Sequence, residues 1–166
     1  RAIREYGEER RWNRVVNAIL EARGSGVLSR TMSAAELVAN AVGGHRSRQR
    51  IHPATKTFQG IRIAINGELE SLVATLPKAF RSLKKGGVLA VISFHSLEDR
   101  IVKRFMRKMS GRPEHRKDSS YLDERVVFGE LLKSKAILPT KKEITDNPRS
   151  RSARLRVIKK TRSSEI

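Results

Sequence analysis

The apolar run Val88-Leu89-Ala90-Val91-Ile92 passes abruptly into Ser93-Phe94-His95-Ser96, and Leu97-Glu98-Asp99-Arg100 follows. Hydroxyls, an imidazole and two carboxylates are thus gathered at one turn, and such groups can bond a ligand, move protons or simply hold the turn. A Ser/His/Asp hydrolase triad from His95, Ser96 and Asp99 fails, because adjacent residues point apart and no oxyanion hole is identifiable. A metal site from His95 and Glu98 is weaker still, so no metal is expected. His95 keeps two readings. It either bonds backbone to fix the turn, or it meets a target by hydrogen bonding or stacking.

The elements around the turn must position it. Gly86-Gly87 introduces the run, and a continuous apolar strand suits a parallel sheet covered on both faces. In an open α/β sheet ligands lie beyond the carboxyl ends of the strands, where this turn would be. Ser96 and Asp99 have the spacing of a helix cap, and Glu98 is expected to be a solvated partner of Arg100 or Lys103. Ile101, Val102, Phe105 and Met106 then form an apolar stripe, with Arg100, Lys103, Arg104, Arg107 and Lys108 around the rest of the helix.

Upstream, Trp12, Val15, Val16, Ile19 and Leu20 recur at helical spacing, which predicts an amphipathic helix over 8–23 ended by Gly24-Ser25-Gly26. Ser33 and Glu36 offer a capping box for a second helix, stopped by Gly43-Gly44. Residues 45–50 read as a basic loop. From Thr57, the positions Phe58, Ile61, Ile65, Leu69, Leu72 and Leu76 sustain one long helix, with Pro77 forcing a break. Downstream, 110–124 reads as a polar loop and 126–138 as short apolar pieces. Thr140 and Glu143 cap a short helix closed by Asn147-Pro148, and Ala153, Leu155 and Val157 alternate with Arg154 and Arg156 as a half-buried strand. The tail from Thr161 is expected to fray.

The chain has 166 residues, 38% of them hydrophobic, and no cysteine, which removes disulfides, zinc-thiolate sites and thiol nucleophiles together. Thirty-six Lys and Arg against 17 Asp and Glu give a formal charge of +19, which favours a polyanionic partner. No apolar run approaches the roughly 18 residues of a spanning helix, and the first residues resemble neither a signal nor a transit peptide. No membrane association is expected, and a soluble intracellular protein is. One strand-helix unit and a terminal hairpin cannot complete a doubly wound sheet, and residues 1–9 read as the middle of an element. The chain is therefore expected to be a piece of a longer protein, leaving the apolar flank of Val88 to Ile92 partly uncovered.

Four separated blocks carry a resemblance: Tyr6-Gly7-Glu8-Glu9-Arg10; His52-Pro53-Ala54-Thr55-Lys56-Thr57-Phe58-Gln59 with Arg62 and Asn66; Ser93-Phe94-His95-Ser96-Leu97-Glu98-Asp99-Arg100 with Val102-Lys103-Arg104-Phe105; and Asn147-Pro148-Arg149-Ser150-Arg151-Ser152. In this order they resemble the bacterial and organellar family that methylates the exocyclic N4 of a cytosine in small-subunit ribosomal RNA with S-adenosylmethionine. The resemblance implies an α/β fold, part of a class I (Rossmann-like) methyltransferase with an inserted helical domain. Residues 1–50 would be part of the insert, and 51–166 the carboxyl-terminal half of the catalytic domain.

The family's cofactor loop, the acidic residue on the cofactor ribose and the strand-four segment near the methyl group would all precede Arg1. The S-adenosylmethionine site is therefore expected mainly outside this chain, with no cofactor-binding residue in it. Gly43-Gly44-His45 is similar to the family's loop in letters alone, since it ends a helix with no strand before it. Methylation at N4 needs an oriented amine and an in-line donor rather than a cysteine adding to the ring. Target-pocket candidates are His95, Ser93, Ser96 and Asn66. RNA-contact candidates are Lys56, Arg62, Lys103, Arg104, Arg149 and Arg151. Phe58 and Phe94 could stack on a base, with Phe58 assigned to the core. The partner implied is small-subunit ribosomal RNA or the assembling small subunit. The location implied is cytoplasmic, or a mitochondrion or plastid for a eukaryotic source, and a homodimer is left open. The competing reading is a non-catalytic basic RNA-binding protein acting on the small ribosomal subunit.

Overall fold

The structure is a computed structural model that describes residues 1–43, 51–115, 118 and 125–163. The basic loop expected at 45–50, most of the polar loop between 115 and 125, and the end of the tail lie outside these residues. The chain folds as two compact units, Arg1–Glu68 and Leu69–Ile166.

In the first unit a π-helical turn, Ala2–Tyr6, precedes α1 (Trp12–Glu21), α2 (Thr31–Ala41) and α3 (Thr55–Asn66). Ile3, Val15, Val38 and Ala54 are buried together, with Trp12, Val16, Ile19 and Phe58 packed against them, so Phe58 is core as its spacing predicts. The Ser33 capping box does not form. A 3-10 turn at Val27–Ser29 leads into extended Arg30, and the helix starts at Thr31, which places Ser33 inside the first turn. The backbone of α3 crosses the π-helical turn very closely. A Cβ on Gly60 would lie 2.6 Å from the Ala2 carbonyl oxygen and 2.6 Å from the Gly7 nitrogen, so only glycine allows the crossing.

The long helix expected from Thr57 divides at Gly67 instead of Pro77. Gly67 takes a left-handed conformation (φ 58°) and ends α3, and α4 (Glu68–Arg81) begins at the next residue. Pro77 lies inside α4. Its missing N–H leaves the Val73 carbonyl without its helical donor, but Val73 is 55% exposed and water can serve it. Leu76 and Phe80, both buried, hold the turn on either side. Packing therefore overrides the local penalty.

In the second unit β1 (Val88–Ser93), α5 (Ser96–Met109), β2 (Gly129–Leu131), α6 (Lys141–Asp146) and β3 (Arg154–Lys160) follow α4. The sheet order is β1-β3-β2, and both pairings are antiparallel. The core joins Leu76 and Phe80 of α4 to Val102, Met106 and Met109 of α5 over Ile158, with Leu89 and Val91 packed beside them. Both helices thus cover one face. Val88, Ala90 and Ile92 point to the other face, where Val88 is 47% and Ile92 58% exposed. The expected parallel strand covered on both faces is corrected on both counts: β1 pairs antiparallel to β3, and its second face is open among the described residues. The uncovered flank expected from the sequence is present.

β3 also reverses the usual meaning of its alternation. Arg156, Ile158 and Lys160 share the face toward the helices, while Leu155 and Val157 pair with Ile92 and Ala90 on the open side. Ile158 sets that register by filling the core, and each polar neighbour finds partners. Lys160 is only 3% exposed, and its ammonium donates to the carbonyls of Phe80 (3.3 Å), Arg81 (3.0 Å) and Leu83 (2.7 Å). These carbonyls lie at the end of α4, where a cation also meets the negative end of the helix dipole. Lys160→Met should cost about 2–3 kcal/mol, because buried carbonyls lose a charged donor. Urea unfolding of the two chains would measure it.

Candidate functional site

The turn between β1 and α5 is built by its own side chains. His95 takes an extended conformation (φ −139°, ψ 166°) and serves as the N-cap of α5. Its Nδ1 accepts from the Glu98 backbone N–H at 3.3 Å, while Glu98 Oε2 accepts from the N–H groups of Phe94 (2.8 Å) and His95 (3.2 Å). This is a reciprocal capping box one residue earlier than Ser96 and Asp99 were expected to make it. The two pairs have the same spacing, and the pair whose backbone leaves the strand extended wins. Glu98, expected as a solvated partner of Arg100 or Lys103, has its carboxylate folded back on the turn. His95→Ala should therefore cost about 1 kcal/mol in thermal or urea unfolding, and His95→Asn should recover most of it because asparagine caps well.

Acceptance at Nδ1 places the hydrogen of the neutral His95 ring on Nε2. That nitrogen is itself buried, 3.3 Å from Glu98 Oε1 and outside hydrogen-bond geometry. Phe94 beside it is 56% exposed. Ser93 is buried and its hydroxyl donates to the Arg154 carbonyl at 3.4 Å, a long bond between strands. Ser96 opens the first turn of α5 at the surface. The turn therefore brings together three of the target-pocket candidates, Ser93, His95 and Ser96, with Phe94.

Asp99 points under the turn to the sheet. Its carboxylate is 5% exposed and accepts from Arg156 Nε (2.7 Å), Arg156 Nη2 (3.1 Å) and Arg154 Nη1 (3.2 Å). Burial pushes its pKa up, but the two guanidiniums outweigh this and hold it below the ordinary value. Asp99 thus ties α5 to β3 and fixes the base of the turn; the cap assigned to it from spacing alone is not what it does. Arg154 and Arg156 carried no local signal in the sequence, because their partner lies 55 and 57 residues away.

The remaining candidates are spread out. Asn66 ends α3 in the first unit, where its amide donates to Glu68 at 3.0 Å. Arg62 holds the same carboxylate by two bonds, of 2.8 and 3.0 Å, so part of its charge is already met. Lys56 is exposed in the first turn of α3. In the second unit Lys103 and Arg104 are exposed on α5, and Arg149 and Arg151 on a 3-10 turn, Pro148–Ser152. That turn is held by Asn147, whose Oδ1 accepts from the Arg149 N–H at 3.2 Å. Gly43 follows α2 with φ 93°, and Gly44 and His45 lie outside the described residues. Among the described residues the junction from strand to helix at 93–96 contains no glycine, unlike a loop that cradles a nucleotide phosphate.

Residues 1–161 match the model of the MraW methylase family. The chain belongs to this family. It is 49% identical over 159 residues to a ribosomal RNA small subunit methyltransferase H of Nitrosococcus oceani, covering 95% of this chain and 50% of the relative. It is 48% identical to proteins of the same name from Coprothermobacter proteolyticus and Cereibacter sphaeroides, covering 47% and 46% of their lengths. The chain thus spans about half the length of the MraW-family relatives it matches.

Proposed function

We propose that this chain supplies the RNA-facing part of an S-adenosylmethionine-dependent methyltransferase acting on the exocyclic N4 of a cytosine in small-subunit ribosomal RNA. The match of residues 1–161 to the MraW methylase family, with relatives named for small-subunit rRNA methylation, carries the reading. The open antiparallel sheet would be the end portion of a Rossmann-like domain, and the first unit would include the helical insert. The cofactor site would lie in the half of the relatives' length that this chain does not span.

In this reading the turn at 93–96 faces the target. The exposed Phe94 ring offers a stacking surface for the base, and the His95 ring, its Nε2 buried, caps α5 and so holds the turn that presents it. S-adenosylmethionine, when bound, would supply the methyl group. The residues of this chain hold and orient the base, and cations on α5 and the 3-10 turn hold the backbone. Phe94→Ala leaves the cap and removes the stacking surface. It should lower kcat/KM by about tenfold, the scale of one base–aromatic stack, while stability stays nearly unchanged because the ring is exposed.

The test is calorimetric titration of this chain with a small-subunit rRNA fragment and, separately, with S-adenosylmethionine. RNA binding without cofactor binding supports the reading. Cofactor binding by this chain alone would place the cofactor site within it and overturn the division of labour. The reading of a purely RNA-binding protein predicts the same titrations, and methyl transfer in the complete enzyme separates the two.

A further inference from the structure

A small cleft between α5, the end of β2 and β3 is lined by Lys103, Arg107, Lys133, Arg156 and Ser134. Lys103 and Arg107 are one helical turn apart on α5, where like charges repel, and two further cations converge on them from the sheet side. The surrounding structure meets little of this charge. Arg156 shares Asp99 with Arg154, and Arg107 donates to the Pro113 carbonyl, which is neutral. Lys103 and Lys133 are exposed and have no carboxylate partner among the described residues. Such an arrangement favours an anion between the cations. The interior space is about 10 Å³, room for about one water-sized group, so a phosphate oxygen fits and a nucleobase does not.

We infer that this cleft is a contact site for the RNA sugar-phosphate backbone, with Lys103 and Lys133 as its two open cations. The inference rests on the reading that the protein acts on ribosomal RNA, and it adds the place where the backbone is held. Lys103 was among the cations the sequence singled out; Lys133 was not, because only the fold of β2 toward α5 brings it there. Contacts of this kind position an RNA without reading its bases, so loss of the cleft should weaken all sequences alike.

The experiment measures binding of a single-stranded RNA oligonucleotide to the whole chain across a salt series. The chains are the wild type, Lys103→Gln/Lys133→Gln, and Lys84→Gln/Lys85→Gln, which removes the same charge from the turn before β1. The cleft variant should flatten the slope of log K against log salt by about 1.4, two phosphate contacts on a single strand, and the other variant should not. Equal thermal melts show that the folds are comparable. If the wild type binds RNA and the cleft variant keeps its slope, the cleft inference fails and the RNA reading stands. If the wild type shows no salt-dependent RNA binding, both fail. Inorganic phosphate that displaces the RNA at micromolar concentration would make the cleft a small-anion site and overturn the backbone assignment.

Discussion

Asp99→Asn should lose about 3 kcal/mol of stability near neutral pH, the scale for removing one partner of a buried ion pair. The variant leaves Arg156, whose side chain is 13% exposed, beside a neutral amide, while the more exposed Arg154 can turn to water. The loss also has a pH signature. The folded pKa of Asp99 is held below the ordinary value of 3.8, so its contribution is fully present above that value and fades as pH falls through the folded pKa. The gap between wild type and variant should be constant from about pH 7 to 5 and close below about 3.8. Urea unfolding at a series of pH values measures it. A gap that persists unchanged into strong acid would mean that packing, rather than charge, makes Asp99 important.

Gly60→Ala should destabilise the first unit by about 3 kcal/mol, the upper end for overpacking a tight site. The usual gain from placing alanine in a helix, roughly 1 kcal/mol, is outweighed because the new methyl meets backbone atoms at 2.6 Å on two sides. Gly7 faces the same constraint, since a Cβ there would lie 2.6 Å from the carbonyl oxygens of Ile3 and Lys56. The crossing thus binds the Tyr6-Gly7-Glu8 block to the helix that begins in the His52-Pro53-Ala54-Thr55 block. Amide exchange in residues 2–6 and 55–66 would report the loss, and Gly67→Ala, at a position open within 4 Å, provides the comparison for backbone strain alone.

What could be read from the sequence was local. The strand and helix flanking Ser93 to Ser96, the amphipathic α1 and the Thr140 cap of α6 follow from periodicity and spacing, and Thr140 does accept from the Glu143 N–H at 3.1 Å. What could not be read depended on distant partners. The capping box shifted by one residue because His95 and Glu98 have the spacing of Ser96 and Asp99, and histidine is not an expected cap. The arginines of β3 face the helices because they share the Asp99 carboxylate of α5, which no alternation pattern reports. Lys160 is buried because the end of α4 needs donors, and Pro77 is tolerated because Leu76 and Phe80 pack on both sides of it. Of the candidate site, the turn was legible as a whole, whereas the duties of its members were not.

One chimera tests directly whether this chain is the RNA-facing part of a cytosine-N4 methyltransferase. The matching half of the Nitrosococcus oceani relative would be replaced by this chain, and nucleosides from treated small-subunit rRNA would be analysed by mass spectrometry. N4-methylcytidine is expected at a level near that of the unaltered relative, with a clear fall for Phe94→Ala. A folded chimera that binds S-adenosylmethionine yet forms no N4-methylcytidine would overturn the assignment.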